Sequence, residues 1–192
     1  MTDAERFFSL FRERVTEGRY DRIYRTAEAA FTEAVTEEIN GIIRDMGYTA
    51  QNEYFRIDAV GWVSRWQEIA VEAAALGMNP HLWDLKIAVE HENNKRDWTD
   101  ELIKLIHIRC PLKVVIGYSH CDCRGEAETA RLAAAAGWMQ QVQAFRPEEE
   151  AYLLILGNGA AKYDRNRTYS DFGYRGYLYD PGTHRFCGME GV

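Results

Sequence analysis

Apolar residues in the first part of the chain recur every three to four positions. Ile23, Ala27, Phe31, Val35, Ile39, Ile42 and Met46 fall on one helical face, which predicts a helix over 21–46 that stops at Gly47. A shorter helix is expected over 4–16. The period then changes. Residues 53–61 read as a strand, 63–77 as an inserted helix ending before Asn79-Pro80, and 83–91 as a second strand. Asp97 or Thr99 caps a helix running to about 108, closed by Pro111. The β-branched run 112–118 and the apolar run 151–157 read as buried strands on either side of an Ala-rich helix over 125–143. Residues 174–187 suggest a β-ribbon turning at Pro181-Gly182. This alternation predicts an α/β fold, a central mixed sheet flanked by helices, in a single domain over 1–192 whose core spans about 20–158.

Composition agrees with a packed domain. The chain has 192 residues, 46% of them hydrophobic, enough to bury a core. No apolar stretch approaches membrane-spanning length and no basic leader precedes an apolar run, so a cytoplasmic protein is the expectation. A net charge of −7 argues against non-specific coating of nucleic acid, whose phosphates attract clustered cations. It leaves room for a site built from carboxylates with cations confined to one groove.

Carboxylates stand where the strands end. Asp58 lies in the first strand run, and Ile87-Ala88-Val89 leads directly into Glu90-His91-Glu92. Strand alternation places Glu90 and Glu92 on one face and the His91 side chain on the other. If Asp58 neighbours them, three acids converge. Such a cluster repels itself unless a cation joins it, and hard ions such as Mg²⁺ favour oxygen donors.

An aspartate in one strand, an acid-x-acid pair at the end of the next, then a helix and a buried strand resemble the PD-(D/E)XK, or restriction-endonuclease-like, nuclease superfamily. The resemblance covers roughly residues 20–120. It implies Mg²⁺- or Mn²⁺-dependent hydrolysis of phosphodiester bonds, with DNA as the partner and room for a homodimer. It makes Asp58, Glu90 and the His91 carbonyl the metal ligands. An acid of the first core helix often joins such a site, which nominates Glu38, or its neighbour Glu37. The superfamily usually places Lys two positions after the second acid, where this chain has Glu92. Either Glu92 serves as the third catalytic group, or the ammonium comes from Lys104 on the following helix, with Lys86 a more distant surrogate.

Lys162, Arg165, Arg167 and Arg175 interleave with Tyr163, Tyr169, Phe172, Tyr174 and Tyr177, a mixture suited to a phosphate backbone and its bases. The alternative is a loop and ribbon whose tyrosines cover the core edge. The five tryptophans read as core anchors. His120-Cys121-Asp122-Cys123 admits a soft metal, although free thiols are the simpler reading of four cysteines. Two rivals to the nuclease follow: a binding or regulatory subunit with a degraded site, and a zinc-dependent interaction protein.

Overall fold

Alternate residues of the central strands go to opposite hydrophobic clusters, and this decides the layering. Val114 and Ile116 pack into one cluster and Val115 into the other; Leu153 and Ile155 separate in the same way from Leu154 and Leu156. A sheet apolar on both faces must be covered on both. In the computed structural model, which describes residues 1–15, 20, 23, 28–93, 98–119, 126–158 and 172–189, helices do so. Helices α1 (Asp3–Val15) and α2 (Glu28–Asp45) lie over one face through Phe7, Phe8, Phe11, Val35, Ile39, Ile42 and Ile43.

The sheet has seven strands in chain order: β1 (Thr49–Tyr54), β2 (Ile57–Ser64), β3 (Trp83–His91), β4 (Leu112–Ser119), β5 (Ala151–Asn158), β6 (Arg175–Asp180) and β7 (Arg185–Gly188). The pairs β1–β2, β2–β3, β5–β6 and β6–β7 are antiparallel, whereas β3–β4 and β4–β5 are parallel. Parallel neighbours need crossovers. These carry α4 (Trp98–Ile106) and α5 (Glu126–Met139), which cover the second face with Leu102, Leu105, Ile106, Leu132, Ala135 and Met139. Between β2 and β3 the chain makes a short 3-10 turn, Trp66–Glu68, and a brief helix α3 (Ala70–Ala75). The fold is therefore α/β with a mixed sheet, and among the described residues no helix is long and apolar enough to cross a membrane.

Two expectations change. The strand read over 53–61 is instead a hairpin, because Tyr54 pairs with Ile57 and leaves only Phe55 and Arg56 in the turn. Both turn residues have positive φ, 50° and 64°. A tight hairpin turn of this type ordinarily uses Asn-Gly, and for bulkier residues the left-handed backbone costs roughly 1–2 kcal/mol each. Nothing in Phe-Arg announces a turn, so the sequence pattern missed it. The inserted helix shrinks as well, since β2 runs on to Ser64 before the chain turns.

Tryptophan burial is also uneven. Trp98 is buried, Trp62, Trp66 and Trp83 are half-buried, and Trp138 is exposed. Trp98 has a positional role: a Cβ on Gly117 of β4 would lie 2.7 Å from its Cβ. The bare glycine lets the start of α4 approach the sheet closely.

Candidate active site

The hairpin explains why Asp58 meets Glu90. Asp58 is near the start of β2 and Glu90 near the end of β3, and antiparallel pairing brings those ends together, with Ala59 opposite Val89. Carrying the registers one step further aligns Glu53, Asp58 and Glu90 across three neighbouring strands. Like charges directly opposite one another are destabilising. Glu53 leaves the strand conformation, with φ at 53°.

Asp58 and Glu90 are within hydrogen-bonding reach of each other, so one carboxyl holds a proton when they pair. Asp58 Oδ2 also accepts the His91 backbone N–H at 2.8 Å. Burial raises the Asp58 pKa, opposed by that N–H and by Lys104. Glu90 is 2% exposed, and burial drives its pKa up to about 8, with Asp58 adding to the rise and Lys104 resisting it.

Lys104 arrives from α4. Its Nζ is 2.8 Å from Glu90 Oε1, pairs with Glu101 on its own helix, and is 3.3 Å from the Arg56 carbonyl at the hairpin turn. Burial lowers the ammonium's pKa, but the two glutamates more than offset this and raise it. The Glu90 contact is Coulombic more than directional, since Oε1 has no hydrogen bond of good angle. Around one ammonium there are three carboxylates: Asp58, Glu90 and Glu101.

The other helix layer faces an open cleft of about 510 Å³ that Asp58 also borders. Thr32, Glu33, Thr36 and Glu37 of α2 and Asn52 and Glu53 of β1 form its walls, with no lysine or arginine among the described lining residues. Asn40 donates to Asn52 at 2.8 Å, and Asn93, just past β3, donates to Thr32. These amides tie α2 to the strand ends.

Several sequence expectations land elsewhere. Glu38 is not on the cleft: Arg14 Nη1 holds its Oε2 at 3.1 Å and the Tyr20 hydroxyl donates to its other oxygen. Glu37 lines the cleft instead, with Glu33 one turn before it. The His91 side chain lies on the opposite face, as strand alternation requires. Its Nε2 is 3.1 Å from the Tyr118 hydroxyl, and burial lowers its pKa to about 3. Glu92 is half-buried, and its backbone N–H donates to the Ile116 carbonyl at 2.9 Å, continuing the ladder past Glu90. Lys86 is used by Asp84, 3.5 Å away.

Arg175 is no free phosphate ligand. Its guanidinium grips both oxygens of Glu128 at 3.0 and 2.9 Å, while Tyr177 donates to the same carboxylate at 2.5 Å. Lys162, Arg165 and Arg167 lie outside the described residues, as do His120, Cys121, Asp122 and Cys123. Cys110 is a buried free thiol and Cys187 an exposed one.

Glu101, Glu33 and Arg56 were not anticipated from the sequence. The i,i+3 spacing of Glu101 and Lys104 was visible, but an exposed helix pair has the same spacing. Among the described residues, no group of three or more His, Cys, Asp or Glu side chains is arranged to hold a metal ion. The chain matches no family model, no curated protein and no solved structure.

Proposed function

We propose that this is a cytoplasmic metal-dependent nuclease of the restriction-endonuclease-like kind, hydrolysing phosphodiester bonds in DNA. One observation carries the reading: two carboxyls on neighbouring strands, half-buried Asp58 and buried Glu90, converge with the Lys104 ammonium 2.8 Å from Glu90. Bringing two acids together away from water costs free energy, and perturbed acids of this kind are enriched at functional sites. The helix–strand order also agrees, since an acid-lined helix precedes the hairpin and a crossover helix with a parallel strand follows Glu90.

The donor set suits a hard cation of the Mg²⁺ class, which keeps several waters and takes only one or two carboxylates from protein. Asp58 and Glu90 would hold it, after losing the proton they share, and the His91 carbonyl and Glu92 are the nearest further oxygens in sequence. When bound, the cation supplies Lewis acidity and a more acidic water. The acid-lined cleft otherwise repels phosphate, so substrate entry and metal loading belong together. In the reaction the water oxygen bonds to phosphorus as the ester P–O bond breaks, and the departing oxygen takes up a proton. Lys104 offsets charge that develops on the phosphoryl oxygens.

Cleavage of labelled DNA with Mn²⁺ tests this. Asp58→Asn and Glu90→Gln should abolish it, and Lys104→Ala should cost about a hundredfold or more. An active Lys104→Ala beside an inactive Glu92→Ala would give the third role to Glu92. A second reading, a binding or regulatory subunit, draws on Lys104 already contacting Glu90 and on the absence, among the described residues, of three acidic, His or Cys side chains arranged to hold a metal. It predicts no cleavage and a melting temperature unmoved by millimolar Mn²⁺, whereas a metal bound at a hundred times its Kd should add about 2.7 kcal/mol.

A further inference from the structure

We infer that the hairpin turn is a substrate contact: Phe55 stacks on an unpaired base while Arg56 engages its phosphate, directing single-stranded or frayed nucleic acid to the acid pair. This rests on the nuclease reading for its substrate class, but the surface stands on its own geometry. Phe55 is 78% exposed, an unusual setting for a large apolar ring. It is also held in a left-handed backbone, φ 50°, beside Arg56 at 64°. Strain of this kind concentrates at functional sites, where the surroundings maintain it.

The ring is backed from below. Tyr54 meets Phe55 edge-on at 4.5 Å between centroids, and Tyr54 in turn meets Trp83 at 5.1 Å. Tyr54 thus supports one side of the Phe55 ring, and the residue is otherwise open to solvent. Arg56 is exposed and makes no ion pair among the described residues, whereas the nearby Lys104 and the ribbon's Arg175 are committed to carboxylates.

Position ties this platform to the site. The Arg56 carbonyl accepts from the same Lys104 Nζ that contacts Glu90, so the turn and the acid pair are one side chain apart. A base within a duplex already has neighbours on both faces, so a lone ring gains only from a base that is unpaired, terminal or extruded. The platform therefore favours single-stranded over duplex substrate. The acidic cleft beside it would exclude a bulky polyanion approaching without cations.

Fluorescence anisotropy with an end-labelled oligonucleotide, as a single strand and as a blunt duplex, tests the inference for the wild-type protein in EDTA and again with Mn²⁺. The expected result is tighter single-strand binding, weakened about ten- to a hundredfold by Phe55→Ala and retained by Phe55→Trp. Arg56→Ala should lower the salt slope by about one. Phe55 is exposed, so an unchanged melting curve separates lost contact from lost fold. Single-strand binding by Phe55→Ala equal to wild type would overturn the inference, as would wild-type protein that binds no oligonucleotide even with Mn²⁺. If the wild type cleaves with Mn²⁺ and Phe55→Ala binds and cleaves equally well, only this inference falls. If binding depends on Phe55 but nothing is cleaved, the inference stands and the nuclease reading falls.

Discussion

Two Lys–Glu pairs sit on the same face of the sheet, and they are built on opposite principles. At the start of β4, Lys113 is fully buried, pairs with Glu150, donates to the Tyr152 hydroxyl at 3.1 Å, and lies 4.7 Å over the Tyr152 ring. One cation meets one carboxylate, and Tyr152 donates to that carboxylate at 2.8 Å. At the end of β3, Lys104 is 37% exposed and serves Glu90 and Glu101 while Asp58 adds a third carboxyl. The first cluster is closed and charge-balanced, as a buried ion pair must be to persist. The second is open and over-acidic, with burial pushing the Glu90 pKa up to about 8. Balance marks structure here, and imbalance beside a cleft marks the candidate chemistry.

The sharpest way to break this contrast is to remove each ammonium in turn. Lys113→Ala leaves a buried carboxylate uncompensated and should cost about 3–5 kcal/mol, read by denaturant titration. Lys104→Ala should change stability by no more than about 1 kcal/mol, because that side chain is part-exposed and Glu90 can keep its proton. Equal losses from both would show that the two clusters are the same kind of object.

A pH series should show the next effect. Glu90 holds its proton to about pH 8 when folded, against an ordinary value of 4.5, so the folded state binds more protons between those limits. Its contribution is complete below about 4.5 and is lost as pH rises to about 8, on the order of a few kcal/mol. His91 acts in the reverse sense, its stabilising effect being present above 6.5 and lost as pH falls toward 3. The balance is nearly flat between these opposing slopes and declines toward pH 8. Glu90→Gln should remove that alkaline decline and leave the acid limb; an unchanged alkaline limb would mean the acid pair does not share a proton.

Smaller effects sharpen the same picture. Asp58→Asn removes a like charge from the pair and should raise the melting temperature in EDTA by a few degrees, while cancelling any gain from Mn²⁺. Replacing Phe55-Arg56 with Asn-Gly should add about 1 kcal/mol by relieving the turn. Such a gain, together with lost single-strand binding, would place strain and function in the same two residues.

Periodicity alone determined most of the layering. Strands β3, β4 and β5 and helices α1, α2, α4 and α5 are long, strongly patterned segments whose apolar faces have one way to be buried. Alternation also placed His91 opposite Glu90, because a strand has a period of two whatever surrounds it. The hairpin was hidden because Phe-Arg carries no turn signal, and only the pairing of Tyr54 with Ile57 reveals it. Glu37 and Glu38 differ by one helical step, which sequence cannot resolve; the packing of α1, bringing Arg14 to Glu38, turned Glu37 to the cleft. The same limit applies to Arg175, whose charge was legible but whose partner, Glu128, lies 47 positions away in the chain. Tertiary structure also decided that Lys104 reaches Glu90, since the approach of Trp98 to Gly117 sets how α4 lies on the sheet. Local pattern fixes which face a residue is on, whereas long-range packing fixes which charges share that face.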